Sequence, residues 1–388
     1  MSVTTVKDNI LYVGVNDHDT DLFEGQFVIP DGISYNSYVI LDEKVAVMDT
    51  TDLCKIDDFF ANLDAALGTR KPDYLVIHHV EPDHASGLGA FFEKYPDTKL
   101  VANAKTFSIL ANYYDLPDDS KVMVKEGDTL ELGTHTLQFV FAPMVHWPEV
   151  MMSYDASSKT LFSADAFGKF GALDTEYDEW GDEARRYYFN IVGKFGLNVQ
   201  NVFKKIADFE IETVCALHGP VLEGEELAEA LALYQKWSTY EADTDGVCIA
   251  YCSMHGNMAK AAEKLEDLLK EKGVECEAVD LAREPDSEAI EHAFMFSKMV
   301  LMAPSYYGKV MPDMEDFLGR IGGKLYQNRT VAIVEGGSWA PSAKKTMLGL
   351  MEGMKNLTFV EPQITMMGAY SDEKMAGPLA ELADVLAK

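Results

Sequence analysis

The sequence predicts an α/β protein with two domains: an N-terminal αββα sandwich, followed by a five-stranded parallel sheet with helices between its strands. Two observations predict this. Before the polar stretch Glu241–Gly246, short strand-like apolar runs predominate and helical segments occur at intervals, which favours layered sheets with antiparallel content. After that stretch, five strand-like runs alternate with five helical segments, which is the rhythm of a βαβ series.

The elements of the first domain follow from local patterns. Apolar residues alternate around a turn-like Asp-Glu-Lys, which predicts a hairpin, and later runs show either helical or strand-like spacing. In order, the predicted elements are a hairpin at 36–50, a helix at 55–67, a strand at 73–79, a helix at 85–95 and a strand at 99–103. Four more strands are predicted for KVMVKEG, LQFVFAP, VMMSYD and TLFSAD.

The second domain begins after a linker. The stretch Glu241–Gly246 is polar and ends in glycine before a new apolar strand, so we predict domains spanning 1–243 and 246–388. The predicted strands are VCIAYC, VECEAVDL, MVLMAPS, TVAIVEG and FVEPQITMMG. The predicted helices are AKAAEKLEDLLKEKG, SEAIEHAFMF, DMEDFLGRIGG, AKKTMLGLMEGM and MAGPLAELADVLAK.

Composition excludes several classes of function. The 33 Lys and Arg residues against 64 Asp and Glu residues give a net charge of −31, so no basic footprint for nucleic acid is expected. No apolar run approaches the roughly 18 residues of a membrane span, and the first residues lack a secretory pattern, so we predict a cytoplasmic protein. The five cysteines form neither a disulfide framework nor the paired CxxC motifs of a rubredoxin or ferredoxin module.

The strongest chemical signal follows the predicted strand at 73–79. His79-Val80-Glu81-Pro82-Asp83-His84 places four metal-ligand side chains within six residues. His146, Asp165 and His218 each lie at the end of a later predicted strand, where active sites of layered α/β folds collect. One ion does not need so many ligands, so the pattern predicts two adjacent metal ions held by His79, Glu81, Asp83, His84, His146, Asp165 and His218.

This motif resembles that of the metallo-β-lactamase superfamily, with Glu81 standing where that superfamily usually has a second histidine. A mixed carboxylate and imidazole set favours iron over zinc. Together with a flavodoxin-like C-terminal domain, the chain resembles the flavodiiron proteins (A-type flavoproteins). The resemblance implies one iron on His79, Glu81 and His146, a second iron on Asp83, His84 and His218, and Asp165 bridging them. It also implies a tyrosine near the irons, for which we choose Tyr188, with Tyr187 as the alternative; His78 is not at a ligand position.

A second constellation points to a flavin. The polar loop after VCIAYC contains glycine and opens a helix, so its backbone N–H groups and the helix dipole face a phosphate. It resembles the flavodoxin phosphate loop, although Met258 replaces the usual threonine. Two further loops follow strand ends, and Trp339 and Tyr306 supply flat partners for a flavin ring. The resemblance implies FMN bound by Ser253, Met254, His255, Gly256, Asn257, Met258, Pro304, Ser305, Tyr306, Tyr307, Gly308, Gly336, Gly337, Ser338 and Trp339. The chain has no GxGxxG fingerprint for a nicotinamide cofactor.

The resemblance implies an oxidoreductase that reduces O2 to water, NO to N2O, or both, at two iron ions per chain, with electrons passing through FMN. The implied donor is external, such as rubredoxin or a reduced deazaflavin, and the implied assembly is a head-to-tail homodimer or a dimer of dimers. Because the chain is strongly acidic, an acidic donor would need a local basic patch, for which Lys169, Arg185 and Arg186 are candidates. Two alternatives remain open: a zinc-dependent hydrolase of metallo-β-lactamase type, and a flavin electron carrier with a vestigial metal site.

Overall fold

The computed structural model describes residues 3–175 and 180–388, which divide into the units Met1–Ser238 and Thr239–Lys388. The strands of the first unit are β1 Thr4–Lys7, β2 Ile10–Tyr12, β3 Val15–Asp17, β4 Leu22–Phe23, β5 Phe27–Val28, β6 Ile33–Tyr35, β7 Tyr38–Leu41, β8 Val45–Met48, β9 Tyr74–Val76, β10 Lys99–Asn103, β11 Lys121–Val124, β12 Thr129–Glu131, β13 Thr136–Phe141, β14 Met151–Asp155, β15 Thr160–Phe162, β16 Thr213–Cys215 and β17 Leu222–Glu223. Its α-helices are α1 Ile56–Leu67, α2 Pro82–Ala85, α3 Leu88–Lys94, α4 Ala104–Leu110, α5 Trp180–Tyr187, α6 Gly196–Lys205 and α7 Gly224–Ser238.

Two mixed sheets form the core of the first unit, and the strand pairs β3-β6 and β4-β5 lie outside them. One has the order β1-β2-β7-β8-β9-β10-β11 and the other β12-β13-β14-β15-β16-β17. Their apolar faces share one core; for example, the rings of Tyr38 and Phe162, from opposite sheets, lie 5.6 Å apart in an edge-on contact. The predicted sandwich is therefore confirmed, and burial between the sheets explains why their strands are so rich in apolar residues.

The segment carrying the His79–His84 motif differs in detail from the prediction. The strand ends at Val76, so the motif begins in the following loop. The helix predicted at 85–95 is observed as α3, and an additional helical turn, α2, precedes it. Pro82 begins α2 rather than merely turning the chain, because its fixed φ suits the first helical position, where no N–H bond is needed. Asp83 and His84 therefore lie on a helical turn, with Glu81 as its N-cap.

The second unit is built as the βαβ rhythm predicts. Its strands are β18 Thr244–Tyr251, β19 Cys276–Asp280, β20 Phe296–Tyr306, β21 Lys309–Val310, β22 Arg329–Gly337, β23 Leu357–Phe359 and β24 Ile364–Met367. Its helices are α8 Asn257–Glu271, α9 Asp286–Met295, α10 Pro312–Gly323, α11 Ala343–Leu350 and α12 Asp372–Leu386.

Strands β19-β18-β20-β22-β23 are parallel, and β24 also pairs in parallel with β22, so the predicted fifth strand is divided into two short pieces. The next two strands along the chain, β19 and β20, pair with opposite edges of β18. This reversal of strand order creates a crevice at the carboxyl ends of β18 and β20. The predicted flavodoxin-like fold is confirmed, and this crevice is where such a sheet binds ligands.

Candidate functional site

The seven predicted metal ligands come together at one edge of the first unit, in the segments that follow β9, β13, β15 and β16. Their ligand-type atoms form two groups, and within each group all atoms lie within 4.8 Å of one another. The first group contains His79, Glu81, His146 and Asp165, and the second contains Asp83, His84 and His218.

In the first group, the imidazole nitrogens face carboxylate oxygens. Nε2 of His79 lies 3.2 Å from Oε2 of Glu81. Nε2 of His146 lies 3.0 Å from the same oxygen and 3.0 Å from Oδ2 of Asp165. Three elements of the fold thus direct donor atoms toward one point.

The second group lies directly beside the first. Oδ2 of Asp83 is 3.2 Å from Nε2 of both His84 and His218, and these two nitrogens are 3.1 Å apart. Asp165 lies between the groups, with Oδ1 3.4 Å from Nε2 of His84 and Oδ2 3.4 Å from Nε2 of His79. One carboxylate therefore offers an oxygen to each group, which is the arrangement of a bridging ligand.

The donor set fits a pair of metal ions. Metal–nitrogen and metal–oxygen bonds of about 2.1 Å place neighbouring ligand atoms about 3.0–3.4 Å apart, and the observed spacings fall in this range. Among the described residues, Nε2 of His146, both oxygens of Asp83 and Oδ1 of Asp165 are buried without a well-aligned hydrogen-bond partner. Buried polar atoms are rarely left unpaired, so these atoms are poised for ions.

Neighbouring groups fix the orientation of two of the histidines. Nδ1–H of His79 donates to Oε1 of Glu149 at 2.8 Å, and Nδ1–H of His218 donates to the carbonyl of Ser34 at 2.7 Å. In both rings this leaves the Nε2 lone pair facing the site, as a metal ligand requires. Glu149 is not among the predicted site residues; the sequence signal for it is its position three residues after His146, in His-Trp-Pro-Glu.

Strained backbone accompanies two of the ligands. Ala164, directly before Asp165, has φ of 53°, and Met144, two residues before His146, has φ of 67°. Residues other than glycine adopt this left-handed region at a cost of about 1–3 kcal/mol each, and such strain clusters at functional sites. The surrounding structure therefore holds these two turns in the shape that places the ligands.

The histidines and carboxylates of the site shift one another's pKa values. Burial lowers the pKa of His84, but the Asp83 and Asp165 carboxylates more than offset this and raise it to about 10. Burial likewise opposes the charged form of His146, yet Asp165 and Glu81 raise its pKa to about 9. Burial alone would raise the pKa of Asp165, but His79, His146 and His84 hold it well below its usual range.

These shifts predict that metal affinity rises with pH. In the metal-free protein, protonated His146 and His84 stabilise the fold below about pH 6.5, and this contribution is lost as the pH rises through about 9 for His146 and about 10 for His84. A metal ion must displace these protons. Each displaced proton changes the affinity about tenfold per pH unit below the pKa, so calorimetric titration of metal-free protein with Fe²⁺ should show at least about 100-fold tighter binding near pH 8.5 than near pH 6.5, with proton release; equal affinities would contradict this.

Other candidates lie outside the ligand groups. His78, which the sequence analysis left out, is buried between the Asp49 carboxylate and Ser153, whose Oγ is 2.8 Å from its Nε2. The ring of Tyr188, the first choice for the tyrosine near the metals, packs against Tyr234 and Trp237 instead.

The alternative tyrosine, Tyr187, is the one that faces the ligands. Its ring lies 5.6 Å from that of His218, and its buried hydroxyl has no hydrogen-bond partner among the described residues. Burial and the nearby Asp165 and Asp83 carboxylates raise its pKa well above the usual value, so the hydroxyl keeps its proton. On this geometry Tyr187 replaces Tyr188 as the candidate.

The basic patch suggested by Lys169, Arg185 and Arg186 is wrong. All three side chains are buried. Arg186 donates to Glu183 and to the carbonyl of Val28, and its guanidinium stacks over the ring of Phe170 at 4.5 Å. A guanidinium enclosed in this way stabilises the interior and offers no surface to an acidic partner.

In the second unit, the predicted flavin loops surround one cleft at the carboxyl ends of the strands. This cofactor cleft has a volume of ≈ 280 Å³ and is lined by every predicted flavin-binding residue except Gly256. Four lining residues are not among those predicted: Ala340, Ser342, Met366 and Gly368. Met366 and Gly368 reach the cleft because β24 pairs with β22, a pairing that the sequence alone does not specify.

The start of α8 suits a phosphate. Gly256 is its N-cap with φ of 77°, a left-handed conformation that glycine adopts without strain, and it has no side chain to cap the first N–H groups. Oγ of Ser253 is buried beside the cleft with no hydrogen-bond partner among the described residues. These free donors match the oxygens of a phosphate. Asn257 lines the cleft, but its Oδ1 accepts from the backbone N of Tyr370 at 3.0 Å.

Comparison with known proteins matches both units. The family model described as "ODP family beta lactamase" matches residues 33–219, and the model for a flavodoxin domain matches residues 248–365. The anaerobic nitric oxide reductase flavorubredoxin of Salmonella paratyphi A is 30% identical over 351 residues, covering 87% of this chain and 73% of that protein.

Solved structures match along the whole chain. The flavodiiron protein from Giardia intestinalis superposes with a TM-score of 0.92 at 23% identity, covering 100% of this chain and 98% of that one. The rubredoxin oxygen:oxidoreductase from Desulfovibrio gigas superposes with a TM-score of 0.89 at 25% identity, with the same coverage.

Proposed function

The chain belongs to the flavodiiron proteins, and we propose that it reduces O2 to water, NO to N2O, or both, at two iron ions, with electrons supplied through FMN. One observation carries this proposal: two adjacent groups of buried metal ligands share the Asp165 carboxylate. Two ions held that close together allow one small substrate to be bound by both, which suits a reaction that needs several electrons.

The donor set supports iron at both positions. Imidazole alone suits zinc, whereas mixed imidazole and carboxylate ligands with a bridging carboxylate are those of redox di-iron centres. The ligands Glu81, Asp83 and Asp165 leave one positive charge uncompensated on two divalent ions. Glu149, hydrogen-bonded to His79, adds a further carboxylate nearby, so these groups would offset most of the charge of two divalent ions in this buried position.

The chain's own residues shape the space around the centre. The ring of Phe23 lies 5.4 Å from that of His218, and the ring of Trp147 lies 5.3 Å from that of His79. These aromatic walls exclude bulk water and strengthen electrostatic interactions within the site. The protonated hydroxyl of Tyr187 supplies a donor that can hydrogen-bond to a bound substrate. The bound irons supply the electron transfer to O2 or NO.

We assign FMN to the cofactor cleft. Ser253 and the uncapped start of α8 bind the phosphate, and Tyr306 and Trp339 border the space for the flavin ring. An external donor, such as a rubredoxin or a reduced deazaflavin, delivers the electrons. The five cysteines are all unpaired among the described residues, as suits a reducing cytoplasm, where we place the protein. No helix in the described part of the chain is both long and apolar enough to cross a bilayer.

We further propose that each working site is shared by two chains in a head-to-tail homodimer or a dimer of dimers. The metal ligands lie in the first unit and the cofactor cleft in the second. The rims of the cleft carry exposed aromatic side chains, with Trp339 89% and Tyr307 91% exposed. Exposed apolar groups of this size favour a covering partner, and a twofold axis would place one chain's flavin against its partner's irons.

The function is tested by replacing Glu81 with histidine. This variant restores an imidazole set, so the site should take zinc in place of iron and lose reductase activity, while FMN binding in the second unit is unchanged. Metal analysis, flavin absorbance and consumption of O2 and NO by the reduced protein measure the three effects. A variant with full iron content and full activity would contradict the assignment of Glu81 as a ligand.

The independence of the second unit gives another prediction. A fragment spanning 239–388 should fold and bind FMN, because it retains the carbonyl of Tyr240, to which the buried Arg329 Nη1 donates at 2.7 Å. A fragment that begins at Gly246 leaves Arg329 Nη1 with only its longer contacts to the carbonyls of Gln327 and Asn328, so it should be about 1 kcal/mol less stable. Urea unfolding with FMN titration measures both. Two fragments of equal stability, or a 239–388 fragment without flavin affinity, would contradict the prediction.

A further inference from the structure

Glu335 is a buried carboxylate directly beside residues that line the cofactor cleft. It lies at the end of β22, directly before Gly336 and Gly337, which line the cleft, and its exposed fraction is 5%. No Lys, Arg or His in the described ranges lies within ion-pair distance of it. A buried carboxylate without a cationic partner needs other compensation, and its contacts show where this comes from.

The Glu335 carboxylate accepts two hydrogen bonds. Its Oε2 accepts from the backbone N of Lys344 at 3.0 Å, and its Oε1 accepts from Oγ1 of Thr365 at 2.9 Å. Both oxygens therefore act as acceptors, as in the ionised form. Lys344 lies in the first turn of α11, whose helix dipole favours a negative charge at this end.

These contacts connect three segments that line the cleft. The N-cap residue of α11, Ser342, directs its own hydroxyl to the carbonyl of Lys309, and Glu335 takes over the capping of the helix. Oγ of Ser305 accepts from the backbone N of Ser342 at 2.7 Å. The loop that carries Trp339 is thus anchored where it leaves β22 and where it enters α11. Through Thr365, Glu335 also fixes β24, which places Met366 at the cleft.

We propose that Glu335 is a positioning residue for the Trp339 loop and that its buried negative charge lowers the reduction potential of the flavin. The inference rests on the proposed function in that FMN is the ligand of the cleft. Reduction of FMN adds negative charge to the ring system. A fixed like charge within about 10 Å of the bound ring would, at an effective dielectric of about 20, shift that equilibrium at least roughly tenfold toward the oxidised form. The flavin then gives up its electrons more readily.

The two effects can be separated with matched variants. In Glu335→Gln, the amide oxygen can still accept from Lys344 and the amide nitrogen can still donate to Thr365, so the geometry is kept and the charge is removed. Glu335→Leu removes both hydrogen bonds and the charge. Thr365→Val removes one hydrogen bond and keeps the charge.

The experiment is an anaerobic redox titration of the full-length, FMN-loaded protein against a reference dye, followed by flavin absorbance. For Glu335→Gln we expect the ratio of reduced to oxidised FMN at a fixed potential to rise about tenfold, equivalent to about 30 mV for two electrons. Its affinity for FMN should stay within about threefold of the wild type, and Thr365→Val should leave the ratio unchanged. A ratio within twofold of the wild type in Glu335→Gln would overturn the charge effect.

Glu335→Leu tests positioning. We expect at least tenfold weaker FMN binding and a partial recovery of FMN fluorescence, because the Trp339 ring no longer stays beside the flavin. Wild-type affinity and quenching would overturn the positioning role; if this variant does not fold, the affinity and quenching of Thr365→Val decide the point, with a smaller loss of both expected. Wild-type protein that binds no FMN would refute the proposed function itself, an outcome distinct from all of these.

Discussion

Replacing Asp165 with asparagine will remove metal ions from both ligand groups and abolish the reduction of O2 and NO. Asp165 is the carboxylate that lies within 3.4 Å of Nε2 of both His79 and His84. The amide of asparagine keeps the shape but offers one oxygen, and its NH2 group has no lone pair for a metal. We expect affinity for both ions to fall by more than about 100-fold, since changes even to second-sphere groups cost 10–100-fold.

A matched control separates this effect from general instability. Asp155→Asn, in the same unit, changes another buried aspartate, which pairs with His135 at 2.7 Å and belongs to neither ligand group. It should lower the free energy of unfolding by a few kcal/mol, roughly the cost of breaking a buried pair, yet retain two irons. Iron analysis and thermal unfolding of both variants give the comparison. Full iron occupancy in Asp165→Asn would refute the bridging role.

The second large effect is the recovery of activity from two inactive variants. His79→Ala disables the metal centre and keeps FMN, while Asn257→Ala combined with Trp339→Ala disables the flavin and keeps the irons. If one chain's flavin serves its partner's irons, a heterodimer contains one complete pair. Random association of equal amounts should therefore restore about a quarter of the wild-type activity.

The mixed protein is prepared by unfolding and refolding the two variants together, and differently tagged chains allow the heterodimer to be isolated. Each variant refolded alone is the control and should stay inactive. If the flavin serves the irons of its own chain, no heterodimer contains a complete pair. Isolated heterodimers without activity would therefore exclude the shared arrangement.

The sequence predicted the site correctly where ligand-type residues stand at the ends of predicted strands. Four potential ligands within six residues, followed by single ligands at later strand ends, predicted a convergence that the structure brings about, because neighbouring strand ends meet at one edge of a sheet. The βαβ rhythm likewise predicted the parallel sheet, since helical crossovers require it. The glycine-containing loop after β18 indicated the position of the cofactor cleft for the same reason.

Other features depend on packing that a linear pattern does not contain. Tyr187 and Tyr188 are adjacent, and which ring meets His218 depends on how this helical segment docks. Arginine usually lies at the protein surface, but Arg186 is enclosed by Phe170 and the carbonyl of Val28, both distant in sequence. Glu149 orients His79 from a separate loop. Such partners come together only in the folded chain.

In the proposed mechanism, electrons stored on FMN reach O2 or NO through the two metal ions. The most direct measurement is anaerobic single turnover: the iron-loaded protein is fully reduced, freed of excess reductant and mixed in a stopped-flow instrument with O2 or with NO. We predict rapid reoxidation of FMN with stoichiometric loss of at least one of the two gases, and the absence of both effects in His79→Ala. Equal rates of reoxidation in the wild type and His79→Ala, or a reduced, iron-loaded wild-type protein that consumes neither gas, would contradict this electron path.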